Sequence, residues 1–141
     1  MSETGEVRAT EVPPLRSGRR IATPPGWPAG LPAPGREGWS EEAVAWLLEQ
    51  AAPGWRSHED FFRAHPALLA RLVRHTLQAR LEELRRGYRT ARVDLRGAAE
   101  PPTLAELLAV YTAEGERSKE LARAVQLVAD ALVGVRWRPG G

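Results

Sequence analysis

The chain has 141 residues, 43% of them hydrophobic and 27% charged, with a net charge of +2 and no cysteine. That size suits one domain with a moderate core, and the lack of cysteine excludes a disulfide framework, a thiolate metal site and a thiol nucleophile. No apolar run approaches the roughly 18 residues of a membrane span and no charged-then-apolar leader opens the chain, so a cytoplasmic protein with no membrane partner is expected.

Nineteen arginines stand against one lysine, Lys119, with a single isoleucine and no asparagine. This usage is the codon bias of a GC-rich, bacterial genome, so arginine abundance alone is no functional sign. Charge is uneven: +1 over residues 1–38, −3 over 39–65, +5 over 66–97 and −1 over 98–141.

Residues 1–22 hold few large apolar side chains and mixed charge, the composition of a disordered tail. Residues 23–38 read T-P-P-G-W-P-A-G-L-P-A-P-G-R-E-G. Five prolines and four glycines exclude a helix there and leave extended and turn conformations. Trp27 and Leu31 are the large apolar residues of this arm, placed to staple it to a core; docking onto another chain is the alternative. The helical domain is expected over residues 39–138.

A short helix is predicted over residues 41–52, with Ser40 as N-cap, Glu41 and Glu42 in the first turn, and Pro53-Gly54 as the stop. Its apolar residues cover more than half the circumference, so it must be packed on more than one side. Ser57 and Asp60 then imitate a capping box that opens a turn or two and carries Phe61 and Phe62 into the core. Pro66 suits the first position of the next helix, with His65 as its cap.

Two long helices follow, over residues 66–96 and 103–133. The first has a seam at Ala70, Val73, Leu77, Leu81, Leu84, Tyr88, Ala91 and Leu95, spaced by threes and fours. Gly87 is a weak point, about 1 kcal/mol worse than alanine, that admits a close neighbour. The second opens on a capping box, Thr103 with Glu106, and runs its seam from Leu104 through Tyr111, Gly115 and Val125 to Leu132. Six linking residues force antiparallel neighbours. A loop centre near residue 99 sets Leu84 opposite Gly115, Tyr88 near Tyr111 and Val73 near Val125. The expected fold is all-α: a long antiparallel helical hairpin, coiled-coil-like, packed with one or two short N-terminal helices.

Candidate chemistry is sparse. Arg85, Arg89, Arg92 and Arg96 form a basic stripe on the first long helix, suited to phosphates or an acidic protein surface. The favoured reading is a solvated or salt-bridged face, paired with the acidic neighbouring helices. No aromatics interleave it and no nucleic-acid motif accompanies it. The histidines His58, His65 and His75 fit no metal spacing, the serines fit no nucleophile motif, and no P-loop or dinucleotide fingerprint occurs. No catalytic residue, cofactor or metal is therefore expected.

Five tryptophans are many for so small a core. Trp39, Trp55 and Trp137, with Trp27 and Leu31 of the arm, are the candidate partner-binding residues, because amphipathic rings favour interfaces. All five tryptophans are expected near the open end of the hairpin, away from its loop. The expected function is a non-catalytic protein–protein interaction module, an adaptor or regulatory subunit, with self-association as one form. A nucleic-acid-associated accessory protein is the second reading.

Overall fold

A computed structural model describes residues 23–138; the tail expected over residues 1–22 lies outside the described residues. Every regular element among them is helical. They are α1 (Trp39–Gln50), a 3₁₀ turn (Pro53–His58), α2 (Glu59–Ala64), α3 (Pro66–Asp94) and α4 (Pro101–Leu132). The long antiparallel hairpin is α3 with α4, packed closely along their length, and α1 and α2 lie against it.

The core sits at the open end of the hairpin. It joins Leu31 of the arm, Val44, Leu47 and Leu48 of α1, and Phe62 of α2 to Leu69, Val73 and Leu77 of α3 and Val125 and Val128 of α4. Leu47, Leu69 and Val125 are fully buried, each burial stabilising by about 1.5–3 kcal/mol. The helix of residues 39–50 is covered on several sides as its broad apolar face requires, by α2, α3 and α4.

Most of the expected caps do not form. α1 begins two residues early: Gly38 takes the N-cap position in a left-handed conformation, φ 79°, and its carbonyl accepts from the Glu42 amide at 3.1 Å. Ser40 is thus inside the first turn. The Ser57 hydroxyl donates to the Gly54 carbonyl at 2.8 Å and closes the 3₁₀ turn, so no capping box with Asp60 opens α2. Phe62 enters the core, but Phe61 stays 53% exposed.

His65 does hold the N-cap position of α3 with Pro66 behind it, though its side chain makes no capping hydrogen bond. α4 starts at Pro101 with Glu100 as the N-cap residue. Two prolines in the first turn have no amide hydrogens to satisfy, which leaves the Thr103–Glu106 box little to do.

Between the long helices, the Tyr111 ring lies over Gly87: a Cβ built at residue 87 meets Tyr111 Cζ and Oη at 2.7 Å. Arg74 Nη1 donates to Gln126 Oε1 at 3.0 Å further along. The close approach expected at Gly115 is not there, since nothing lies within 4 Å of a Cβ at that position. The tight contact falls at Gly87 instead, because the bulky ring crosses from α4 to α3.

Candidate partner-binding site

At the open end three separate segments converge on one groove. The arm reaches it through consecutive turns, with the Trp27 amide donating to the Pro24 carbonyl at 3.0 Å and the Leu31 amide to that of Pro28 at 3.3 Å. The indole Nε1–H of Trp27 donates to the Leu31 carbonyl at 3.0 Å, so the arm is clamped on itself while the Leu31 side chain sinks into the core. Trp39, at the first residue of α1, meets the Trp27 ring with centroids 6.1 Å apart and planes tilted by 43°.

The third segment follows α4. The Val135 amide donates to the Asp130 carbonyl at 2.9 Å and the Gly134 amide to that of Ala131 at 3.1 Å. This pair of bonds is a Schellman motif, and Gly134 at φ 90° supplies the left-handed residue it needs. The reversal sends Val135, Arg136 and Trp137 back past the end of the helix.

The resulting groove has a volume of about 560 Å³ and is walled by Trp27, Trp39, Leu127 and Trp137, with Asp130 and Arg136 among its polar groups. Trp137 remains 40% exposed. Gln126 donates to Asp130 Oδ1 at 2.8 Å and accepts from Arg74, so a chain of polar contacts links α3 to the groove wall. An apolar slot with a fixed carboxylate and a guanidinium on its rim suits an apolar side chain and the backbone polar groups around it.

Trp27, Trp39 and Trp137 thus come together, and Leu31 lies beneath them rather than beside a ligand. Trp55 is elsewhere. It stacks on Phe62 at 5.9 Å and 19°, and Phe62 meets Phe61 edge-on. Trp46 packs against the core. Leu127 and Asp130 were not singled out from sequence. Leu127 falls outside the 4-3 seam of α4, and Asp130 acquires its place only through the helix-ending turn.

The basic stripe runs along the other half of the hairpin. Arg85 pairs with Glu82 at 3.2 Å and Arg86 with Glu83, each within α3. The hydrogen bond to Glu83, together with that carboxylate's charge, raises the Arg86 guanidinium above its ordinary range. Arg89, Arg92 and Arg96 make no ion pair among the described residues, and the expected pairing with neighbouring acidic helices is absent there: every ion pair found is within one helix. These arginines edge two shallow hollows on one side of the hairpin, of about 320 and 420 Å³.

No group of three or more histidine or acidic side chains with the geometry to hold a metal ion occurs among the described residues. No helix among them is long and apolar enough to cross a membrane. In comparisons with known proteins no family model matches the chain, nor does any curated protein or solved structure.

Proposed function

We propose that this chain is a non-catalytic helical protein–protein interaction module, an adaptor or accessory subunit working in the cytoplasm, that receives an apolar side chain of its partner in the groove of Trp27, Trp39 and Trp137. One observation carries the reading. Three indoles from three separate segments wall a single groove and leave Trp137 40% exposed, and rigid amphipathic rings of this kind supply most of the energy at protein interfaces. The rim polar groups, Asp130 and Arg136, fix orientation.

Affinity capture from the native host with the wild-type chain and with Trp137→Ala tests it. The expected outcome is a defined partner held by the wild type and lost by the variant, with the melting temperature within about 2 °C because a half-exposed side chain contributes little to folding. A partner retained equally by both sinks the reading. Nucleic acid is the second reading, favoured by Arg89, Arg92 and Arg96, which make no ion pair among the described residues. Capture of nucleic acid that salt releases, and that charge reversal at Arg89 and Arg92 abolishes, would replace the first.

A further inference from the structure

The aromatic groove carries charges that the described residues leave unmatched. Asp130 stands on its wall together with Arg136 and Arg138. Among the described residues none of the three makes an ion pair. Gln126 engages Asp130 through Oδ1 alone, at 2.8 Å, so the other carboxylate oxygen remains for a cation. Arg136 and Arg138 are exposed. A tryptophan-walled slot with an acid and two bases on its wall suits a short segment that is apolar in the middle and oppositely charged at its ends.

The chain holds such a segment close at hand. Thr23 is the first described residue and the next, Pro24, lines the groove, so residues 1–22 join the described chain at the groove wall. Residues 11–16 read E-V-P-P-L-R. Val12 to Leu15 is the one run of four apolar residues within 1–22, with Glu11 before it and Arg16 after it. Two consecutive prolines restrict themselves and the residue ahead of them to extended conformations, so little entropy is lost on binding. Aromatic-lined grooves receive proline-containing segments for this reason. Four residues in that conformation span about 12 Å. The six residues from Ser17 to Ala22 reach roughly 20 Å when extended, enough to bring the segment back over the groove. Residues 139–141 are Pro-Gly-Gly and have no large side chain to offer.

We propose that residues 11–16 seat in the aromatic groove of their own chain. Val12 and Leu15 lie against the indoles, Arg16 meets Asp130, and Glu11 meets Arg136 and Arg138. Taking the groove as the binding site proposed above, the segment is its regulator: it covers the groove in the resting chain, and a partner must displace it. A six-residue tether gives the segment an effective concentration on the order of millimolar, which favours contact within one chain over contact between two. The ion pairs lie at an exposed rim and add little, so the seat is one that a tighter partner can empty.

The test reads the five indole N–H resonances of the full chain with no partner present. Val12→Ser/Leu15→Ser should move those of Trp27, Trp39 and Trp137 and leave Trp46 and Trp55 in place, to the same extent at low and high protein concentration. Arg16→Glu should move the same three part of the way, and adding Asp130→Arg should return them, which a folding defect would not do. A synthetic peptide of residues 10–17 should bind the Val12→Ser/Leu15→Ser chain at least about tenfold more tightly than the wild type, whose groove is already filled. Where a partner is captured, the same double variant should hold more of it. Resonances that stay in place, shifts that depend on concentration, a peptide that fails to prefer the double variant, or less partner held by that variant each overturn the proposal, even where Trp137→Ala loses its partner. A partner retained equally by Trp137→Ala sinks the earlier reading alone, since the indole shifts need no partner.

Discussion

Gly87 lies where the tip of the Tyr111 ring crosses α3, with Cζ and Oη 2.7 Å and Cε1 2.8 Å from where a Cβ would stand. Two effects of opposite sign meet at this position. Alanine is favoured over glycine in a helix interior by about 1 kcal/mol, while forcing a methyl group into an occupied space costs typically about 1–3 kcal/mol. Gly87→Ala should therefore destabilise the chain by about 1 kcal/mol in urea unfolding. In a Tyr111→Ala background the same change should stabilise by about 1 kcal/mol, since only the propensity difference remains. A stabilising Gly87→Ala in the wild-type background would mean the ring swings freely into the adjacent hollow, and the contact would have no structural weight. The spacing of α3 marks Gly87 as a place of close approach, but nothing in the spacing says which side chain fills it. The seam of α4 points to Gly115 instead, because a rod-and-seam picture has no term for a tyrosine long enough to reach across.

Among the elements, the arm is the one whose role sequence left open between its own core and another chain. Leu31 is 8% exposed and part of the core, and the Trp27 indole is tied to its carbonyl. Leu31→Ala should then cost the isolated chain about 2 kcal/mol, near the lower end for a buried leucine, with Trp27 emission shifting to the red as the arm loosens. An arm that packed only on another chain would lose nothing in the isolated protein, so an unchanged urea midpoint would refute the staple. Helix existence and order were legible because apolar residues recur at threes and fours over some 30 positions in α3 and α4. Helix starts were not, because a start is a local competition. Gly38 in a left-handed conformation displaces Ser40 as the cap of α1, and Pro101-Pro102 begin α4 without needing the donors that Thr103 and Glu106 were expected to satisfy. The aromatic site was half legible. The tryptophans announce it, but Leu127 and Asp130 join it only once the turn at Gly134 folds Val135, Arg136 and Trp137 back.

At the scale of the whole molecule the hairpin is two structures on one pair of helices. Around Leu69, Val73, Leu77, Val125 and Val128 four elements share a closed core, and opening it exposes several fully buried side chains at once. Toward the loop the seam is half-buried, two glycines sit in the helices, and the surface ion pairs along each helix are of the exposed kind worth little. Local opening should thus cost less at the loop end. In dilute protein, amide hydrogens of α3 beyond Leu81 and of α4 before Ser118 should exchange at least about tenfold faster than those around Val73 and Val125, a difference of ~1.4 kcal/mol. Uniform exchange along both helices at low concentration would show that α3 and α4 open as one unit. The unburied leucines of the loop half would then not set its stability.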